Sequence, residues 1–393
     1  MNKKYSLPLL VFLTAAIGLT APPARADDKL KIGIIASMSS HASITGGMIR
    51  DGFSLAVKQL GGKLGGRDAE VVVQDDETKP DVAVSKAKAL IDRDKVDFVV
   101  GTVLSNMLLA IAKPVTDAGV FLISPNAGPS NLAGAGCNPN FFSTAYQNDQ
   151  VHEVVGKYAQ DSGVKTALLL APNYQAGRDG IAGFERYFKG QVLDEIYVPL
   201  GTLDFSAELA RIAATAPDAV YVFLPGGMGV NFVKQFHQAG LNDKVKFLSA
   251  FTVDEVTLPA QKDAAMGLYG GSNWAPDLDT PQNKAFVEAY EKAYGILPAS
   301  YAFEAYDAAL LIDSALKATN GATADKDALR AALKKADFQS LRGNFKFNNN
   351  HYPIQDFYLV KVGKRPDGKY QTEIDKKVFT DFGDSYAKDC PMK

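Results

Sequence analysis

The chain has 393 residues, with 42 Lys and Arg against 44 Asp and Glu, so its formal net charge is −2. A hydrophobic content of 47% with 22% charged residues excludes a disordered chain, and the near-neutral balance provides no basic surplus for a general nucleic-acid surface. Two Cys and four scattered His are too few for a disulfide framework or a four-cysteine zinc site, while the length allows two or three domains.

Residues 1–26 have the pattern of a secretory signal. Two lysines precede an apolar run, Leu7–Leu19, and Ala24-Arg25-Ala26 is a small-x-small cleavage pattern. The run is shorter than the ~20 residues of a membrane span, which disfavours the alternative of an anchor. We therefore expect an exported protein that is cleaved after Ala26 and does not insert into the membrane. The remaining chain has 39 basic and 44 acidic side chains, a net charge of −5.

Export bears on whether the two cysteines are free or bonded to each other. Cys137 and Cys390 would lie in a compartment that permits disulfides, so we expect a bridge between them. The alternative is a pair of buried free thiols.

After the signal, strand-like and helix-like segments alternate. The first series predicts strands at Leu30–Ala36, Ala69–Asp75, Asp97–Gly101 and Val120–Ser124, with helices at Met48–Leu60, Val82–Arg93 and Met107–Ala118. The second predicts strands at Thr166–Ala171, Ile196–Leu200, Ala219–Leu224 and Val245–Ala250, with helices at Ile181–Lys189, Ala207–Ala214 and Val230–Ala239. Apolar strands separated by helices are typical of parallel sheets covered on both faces. The two series predict two α/β lobes.

The pattern changes after Trp274. Helices are predicted at Pro281–Tyr294, Tyr301–Thr319 and Asp325–Ala336, followed by a strand at Gln355–Val362. Because this part has no strand set of its own, we expect its helices to cover an existing lobe. The chain would then cross between the lobes more than once, a topology suited to hinge motion.

Candidate binding residues follow the predicted strands, because ligands of open parallel sheets bind beyond the carboxyl ends of the strands. They are Ser105 and Asn106; Asn126, Ala127 and Gly128; Tyr174; Phe223 and Met228; and Phe251 and Thr252. We expect Ser105 and Asn106 at N-cap positions, where side chains and free N–H groups can hold a carboxylate. The structural alternatives are capping alone, an ordinary turn and aromatic packing in the core.

Catalytic and metal motifs are missing from the sequence. It has no phosphate-binding glycine loop, no HExxH and no GxSxG. The four histidines have no ligand spacing, and Asp75-Asp76-Glu77 fits a solvated strand end or helix cap better than a metal site. We therefore expect neither an enzyme nor a cofactor or metal.

Several segments, in their order along the chain, resemble a known family. They are Lys31-Ile32-Gly33-Ile34, Gly101 to Asn106, Ile123 to Ala127, Tyr174 to Gly177, and Tyr306-Asp307-Ala308. From about Leu30 to Tyr358 the chain is similar to type I periplasmic solute-binding proteins of the leucine/isoleucine/valine-binding family. The resemblance implies two α/β lobes, each a parallel sheet flanked by helices, joined by three hinge crossings.

The resemblance also implies lobe boundaries and partners. The first lobe would comprise residues 27–145 and 274–350, and the second residues 146–273 and 351–393. A monomeric periplasmic protein of this kind captures a ligand between its lobes and delivers it to the membrane permease of an ABC importer. No catalysis is implied.

The same resemblance indicates the ligand class. The family's amino-acid binders hold the ligand carboxylate with a Ser at the position of Ser105, but they have a hydroxyl residue where Gly128 lies and an acid where Phe251 lies. Both differences remove partners of an α-amino group, and a buried ammonium without a carboxylate is costly. The segment Ser143 to Gln150 also resembles the aromatic-acid-binding branch, so a benzoate, hydroxybenzoate or phenylpropenoate type of ligand is favoured.

Roles follow for the candidate residues. Those expected at the carboxylate end are Ser105, Asn106, Asn126, Ala127 and Gly128; those expected in the apolar wall are Tyr174, Phe223, Met228 and Phe251. Thr45 is expected at the rim, and Asn126 or Thr252 is expected to contact a ring substituent. The alternatives are a branched-chain amino-acid or small-amide receptor of the same fold and, more distantly, an exported enzyme.

Overall fold

The computed structural model describes Met1 and residues 29–392, so residues 2–26 of the predicted signal, and its cleavage site, lie outside the described residues. The strands of this part are β1 (Leu30–Ala36), β2 (Lys63–Leu64), β3 (Arg67–Asp75), β4 (Phe98–Gly101), β5 (Phe121–Ser124), β6 (Phe141–Ser143), β7 (Thr166–Pro172), β8 (Gln191–Val198), β9 (Ala219–Val222), β10 (Lys246–Ser249), β11 (Tyr269–Ser272), β12 (Lys346–Phe347), β13 (Pro353–Lys364) and β14 (Tyr370–Phe382).

The α-helices alternate with these strands. They are α1 (Ser43–Gln59), α2 (Pro80–Asp92), α3 (Ser105–Asp117), α4 (Asp149–Asp161), α5 (Gln175–Tyr187), α6 (Ser206–Thr215), α7 (Gly227–Gln238), α8 (Leu258–Gln261), α9 (Pro281–Tyr294), α10 (Ser300–Ala318) and α11 (Lys326–Lys335). No helix in the described part of the chain is both long and apolar enough to cross a membrane.

The strands form two sheets, as the two series predict. The order is β2-β3-β1-β4-β5-β6 in the first and β12-β13-β11-β10-β9-β7-β8 in the second, with β14 paired to β13. The expectation of purely parallel sheets needs correction, because β2 pairs antiparallel with β3 and β13 pairs antiparallel with both β11 and β14. Strands β13 and β14 form a hairpin, so they add antiparallel strands to an otherwise parallel sheet.

Most predicted elements lie within a few residues of the observed ones. The strand expected at Ile196–Leu200 is shifted, since β8 begins at Gln191 and its exposed edge carries Asp194 and Glu195 within the strand. Strands β11 and β14 were not predicted. The first is half glycine, and the second is rich in charged residues along its exposed face, so neither has the apolar run on which the predictions depended.

The helices that follow β11 cover the first sheet, in agreement with the expectation that they join an existing lobe. Helix α10 packs along α1, and a Cβ at Gly52 would lie 2.0 Å from the Ala302 carbonyl oxygen, so only glycine permits this approach. The chain passes between the sheets after β6, after β11 and before β12. Strand β12 lies in the range expected for the first lobe but pairs with β13 of the second sheet.

A buried ion pair lies where the chain passes between the sheets. The Arg342 guanidinium, with 3% of its side chain exposed, donates from Nη2 to Asp307 Oδ2 on α10 at 3.1 Å. Burial raises the pKa of Asp307, while Arg342 and hydrogen bonds from Ser340 and Leu341 oppose the rise. The pair is therefore compensated by charge and by hydrogen bonds on both sides.

The same guanidinium joins segments from both sheets. It donates to the carbonyl oxygens of Thr144 and Ala145 after β6, and to Gln355 Oε1 on β13. Its faces lie against the rings of Phe303 and Phe345, 4.6 and 5.1 Å from the ring centroids. Arg342 thus organises the region in which the lobes are joined.

The expected disulfide is confirmed. Cys137 and Cys390 are bonded, with 5.7 Å between their Cα atoms. The bridge fastens the chain after β14 to the loop between β5 and β6, so it links the end of the described chain to the first sheet.

The buried pair leads to a stability prediction. We expect Asp307→Asn to lower the free energy of unfolding by about 3–5 kcal/mol, because Arg342 would remain buried without its counter-ion. Urea denaturation followed by far-UV circular dichroism measures the loss. Asp117→Asn, which removes the partner of an exposed i,i+4 pair with Lys113, is the control and should produce no measurable change. Equal midpoints for wild type and Asp307→Asn would contradict the prediction.

Candidate ligand-binding site

A cleft lies between the two sheets, beyond the carboxyl ends of their parallel strands. Its empty volume is about 670 Å³, including the open mouth, which is within the range of small-molecule sites. Its walls comprise His41, Ala42, Thr45, Val103, Leu104, Ser105, Asn126, Ala127, Tyr146, Asn148, His152, Tyr174, Ala176, Leu200, Phe223, Pro225, Gly226, Met228, Phe251 and Tyr301. None of these residues is Asp, Glu, Lys or Arg.

Eight of the eleven predicted binding residues lie in these walls. They are Thr45, Ser105, Asn126, Ala127, Tyr174, Phe223, Met228 and Phe251. Asn106, Gly128 and Thr252 are not wall residues. Eight of the twenty wall residues were therefore predicted, and the role of each toward a ligand stays a prediction.

One end of the cleft is the N-terminus of α3. The helix begins at Ser105, with Leu104 in the N-cap position, so the expectation that Ser105 and Asn106 are themselves N-caps is wrong. Among the described residues, Met107 is the first of this helix whose backbone N–H donates a hydrogen bond, to Leu104 O at 3.0 Å. The N–H groups of Ser105 and Asn106 are thus free in the way expected of a helix start, and the helix dipole favours an anion there.

Of the three predicted residues outside the walls, Gly128 and Thr252 have structural roles instead. The Gly128 N–H donates to Asn148 Oδ1 at 2.9 Å, and a Cβ at Gly128 would lie 2.1 Å from Tyr146 O, so no side chain fits there. The Thr252 hydroxyl accepts from the Leu224 N–H and donates to Val222 O, which fastens its loop to the end of β9. Asn106 has a buried Oδ1 without a hydrogen-bond partner in the structure.

Asn126 lies in the wall, but its side chain is already engaged. Its amide donates to Val103 O at 2.5 Å, and its Oδ1 accepts from the Tyr146 hydroxyl at 2.9 Å. These bonds hold the loops after β4 and β5 against the segment after β6. Asn126 therefore shapes the cleft, and the contact to a ring substituent that the sequence suggested has no support in the geometry of its side chain.

A second part of the cleft wall is aromatic. Tyr174 and Phe223 stack with centroids 6.3 Å apart, and Phe223 meets Phe251 edge-on at the same distance. Phe251 also stacks on Tyr146 at 5.4 Å and lies 6.0 Å from Tyr301. These five rings form a continuous surface of the kind that packs against a flat apolar group.

Phe251 has an unusual backbone. Its φ is +55°, in the left-handed region that a residue with a Cβ rarely adopts, at a cost of order 1–3 kcal/mol. It is the second residue after β10, and its ring contacts three other aromatic residues of the cleft. Strain of this kind persists where the surroundings determine it, often at ligand clamps.

Several wall residues were not predicted, and His152 differs most from expectation. The sequence showed only a histidine without ligand spacing, but the residue is 1% exposed and lies in the wall. Its Nδ1 is 2.7 Å from the Tyr221 hydroxyl, and burial lowers the pKa of the ring to about 3. Tyr146 and Asn148 fall in the segment Ser143 to Gln150 that carried the family resemblance, so that segment was the available signal.

Carboxylates lie behind the walls rather than in them. Asp254 accepts from the Tyr301 hydroxyl at 3.0 Å, and burial raises the pKa of Asp254 to about 6 against hydrogen bonds from Tyr301 and Thr257 that lower it. Asp179 accepts from Asn148 Nδ2 at 2.8 Å. A ligand in the cleft therefore meets amide and hydroxyl groups before any carboxylate.

Metal-binding groups are not assembled in the described part of the chain, where no set of three or more His, Cys, Asp or Glu is placed to hold an ion. The acidic triplet includes Asp76, which is buried and accepts from the Ser37 hydroxyl and the Thr78 N–H. It is therefore a hydrogen-bonded strand end, and the expectation of a solvated one is wrong at Asp76, which is fully buried.

The neutral state of His152 makes stability depend on pH. The unfolded ring binds a proton below about pH 6.5, whereas the folded ring does so only near pH 3, so stability that is present above pH 6.5 is lost as the pH falls. We expect the stability deficit of His152→Gln relative to wild type to shrink by about 2 kcal/mol between pH 7.5 and pH 5. Urea denaturation at both pH values measures it.

His237→Gln, at an exposed position on α7, is the matched control and should leave the pH profile unchanged. A deficit of His152→Gln that stays constant between the two pH values would show that the folded ring titrates normally.

Comparisons with known proteins agree with this geometry. The family model described as periplasmic binding protein matches residues 29–369. A Leu/Ile/Val-binding protein homolog of Brucella melitensis is 30% identical over 382 residues, covering 94% of this chain and 95% of that protein.

Two solved structures are also similar. An ABC transporter solute-binding protein from R. palustris in complex with benzoate is 34% identical, with a TM-score of 0.88, and the match covers 93% of this chain and 100% of that one. A solute-binding protein from Rhodopseudomonas palustris BisB5 in complex with 3,4-dihydroxybenzoic acid is 32% identical, with a TM-score of 0.86 and coverage of 91% and 99%. With two mostly parallel sheets, a cleft between them and a family match over most of its length, this chain belongs to the periplasmic binding proteins, which are the solute-binding components of ABC transporters and not enzymes.

Proposed function

We propose that this solute-binding protein captures a small aromatic carboxylate, of the benzoate, hydroxybenzoate or phenylpropenoate type. The observation that carries the proposal is a cleft whose walls contain no acidic or basic residue other than histidine, and which combines a helix N-terminus with five aromatic rings. The complexes of two similar proteins with benzoate and 3,4-dihydroxybenzoic acid support it.

The carboxylate is assigned to the start of α3. The N–H groups of Ser105 and Asn106, the Ser105 hydroxyl and the helix dipole all favour an anion at this place. Ala127, in the next loop, is small enough to allow the ligand to approach the backbone. Donors to a carboxylate are worth more than donors to a neutral group, so this end provides much of the affinity.

The ring of the ligand is assigned to the aromatic surface. Tyr174, Phe223 and Phe251 offer faces and edges at stacking distances, and Met228 adds a polarizable side chain to the same wall. An aliphatic side chain would also be buried here, but it would gain no ring–ring interaction.

An amino acid is the second candidate, because the Brucella melitensis relative carries a Leu/Ile/Val-binding name. The cleft disfavours it, since an α-ammonium group would have no carboxylate in the walls. The oxygens of Asp179 and Asp254 lie behind Asn148 and Tyr301 and already accept hydrogen bonds from them. A buried ammonium without a counter-ion is costly.

The transport cycle follows from the family. Residues 27–145 with 274–350, and residues 146–273 with 351–393, are proposed as two lobes, with β12 joining the second through its pairing with β13. The lobes close on the ligand by hinge motion and exclude water. The protein would act as a periplasmic monomer after cleavage behind Ala26 and would pass its ligand to the membrane permease of an ABC importer.

A ligand panel tests the proposed function. We expect benzoate, 4-hydroxybenzoate or coumarate to raise the melting temperature of ligand-free protein, because a ligand that binds only the folded state stabilises it by mass action. Differential scanning fluorimetry over a concentration series measures the shift. Stabilisation by leucine or valine, with none by any aromatic acid, would overturn the proposal in favour of the amino-acid receptor.

The assignment of the carboxylate end has its own test. We expect Ser105→Ala to raise the Kd for benzoate about tenfold or more, because a hydrogen bond to a charged group is worth about 1.5–3 kcal/mol. Isothermal titration calorimetry measures Kd. Ser314→Ala on α10, where the hydroxyl bonds only to Leu311 O of its own helix, is the matched control. An unchanged Kd for Ser105→Ala would place the carboxylate elsewhere.

A further inference from the structure

Asp179 on α5 is a buried carboxylate whose hydrogen-bond partners are all neutral. Its side chain lies outside the walls of the cleft, and the residue is 4% exposed. Oδ1 accepts from Ser130 Oγ at 2.7 Å and from Gln175 Nε2 at 2.8 Å, while Oδ2 accepts from the Ser130 N–H at 3.1 Å and from Asn148 Nδ2 at 2.8 Å. Because a carboxylate only accepts, every group that faces it must present a proton.

This requirement determines the orientation of the Asn148 amide. Its Oδ1 accepts from the Gly128 N–H at 2.9 Å, and a backbone N–H can only donate. Its Nδ2 faces Asp179, which can only accept. A flipped amide would conflict at both ends, so the NH₂ group has one possible position, and its second proton points to Ser105 Oγ at 3.1 Å.

The Ser105 hydroxyl is therefore an acceptor toward Asn148. Within residues 29–392 this is the only hydrogen bond that the hydroxyl makes, so its own proton has no acceptor in the protein. Ser105 lies in the wall of the cleft, at the start of α3. The free proton is then available to a group inside the cleft.

We propose that Asp179 is a positioning residue that acts through Asn148 to make the Ser105 hydroxyl a donor to the ligand carboxylate. The proposal rests on the proposed function. Without the relay, Ser105 can donate to Asn148 and present only a lone pair, which repels an anion. The relay therefore selects a carboxylate over a neutral ligand of the same shape.

The relay also connects the two sheets. Asp179 belongs to α5, which packs on β7 of the second sheet, whereas Ser130 follows β5 of the first. Ser130 donates both its N–H and its O–H to Asp179. The carboxylate therefore has its full set of hydrogen-bond donors only when the lobes are together. Recognition of the anion is thereby coupled to closure.

Charge alone predicts the opposite effect. Asp179 is separated from Ser105 only by the Asn148 amide, so its negative charge disfavours a carboxylate in the cleft. If charge were its main effect, Asp179→Asn would bind benzoate more tightly. The relay predicts weaker binding of benzoate. The NH₂ group of the amide introduced by Asp179→Asn would face a donor of Ser130, Gln175 or Asn148, and two facing donors cannot form a hydrogen bond. The sign of the change distinguishes the two roles.

The test compares benzoate with benzamide, which has the same shape and no charge. For Asp179→Asn we expect the Kd for benzoate to rise about tenfold or more while that for benzamide changes little, so that the preference for the acid falls by the same factor. Isothermal titration calorimetry on the full chain measures both. An Asp179→Asn protein with unchanged or tighter benzoate binding would overturn the relay.

Asp384→Asn is the matched control. Asp384 is also buried and accepts from neutral donors, Asn350 Nδ2 and the Tyr386 N–H. Its replacement should lower the stability of the protein without changing the preference for benzoate over benzamide. A fall of that preference in Asp384→Asn as large as in Asp179→Asn would mean that general loosening is the cause, and would count against the relay.

A second variant covers the case in which Asp179→Asn does not fold. Asn148→Ala removes the donor that holds the Ser105 oxygen, so the hydroxyl proton is no longer directed at the ligand, and we expect the preference for benzoate over benzamide to fall. An unchanged preference in Asn148→Ala would overturn the relay. Failure of the proposed function is recognised separately, because the wild-type protein would then bind none of the aromatic acids.

Discussion

The carbonyl oxygen of Ala145 is the acceptor on which the junction between the sheets depends. It receives hydrogen bonds from Arg342 Nη1 at 3.2 Å, Gln355 Nε2 at 2.6 Å and Asn273 Nδ2 at 3.5 Å. Asn273 and Arg342 lie at two of the places where the chain passes between the sheets, and Ala145 itself lies at the third. Gln355 lies on β13 of the second sheet. A charged donor buried among carbonyl oxygens needs a counter-ion, and Asp307 supplies it. The junction is therefore held by a buried network of hydrogen bonds whose charge is compensated within the protein.

The walls of the cleft carry neutral groups, and the carboxylates lie behind these walls. The walls expose neutral side chains, aromatic rings and free N–H groups, whereas Asp179 and Asp254 lie one residue further back. A carboxylate behind an amide or a phenol accepts a hydrogen bond from that group and so fixes the group's orientation. The carboxylate itself is not exposed to a cation in the cleft. This arrangement suits an anionic ligand with an apolar body better than a zwitterion.

Part of the site was predictable because it depends on local rules. Ligands of parallel sheets bind at strand ends, and Ser105, Ala127, Phe223 and Phe251 follow strands that the apolar pattern located. His152 and Tyr301 were not predicted, because both lie on helices. The helical pattern does not indicate which polar or aromatic residues of a helix face a cleft. Thr252 was expected in the site for the position of its loop, but its hydroxyl accepts from the Leu224 N–H and donates to Val222 O at the end of β9.

The sequence by itself determined the two α/β lobes, the return of the late helices to an existing sheet, the pairing of Cys137 with Cys390 and the strand ends that carry the cleft. These follow from periodicity and compartment, which are local or compositional properties. Only the tertiary structure decided that β13 joins antiparallel, that Arg342 is the buried cation of the junction, and that Asp179, Asn148 and Ser105 form one chain of hydrogen bonds. These contacts join residues 31 to 198 positions apart, and hydrogen-bond partners at such distances leave no periodic trace in the sequence.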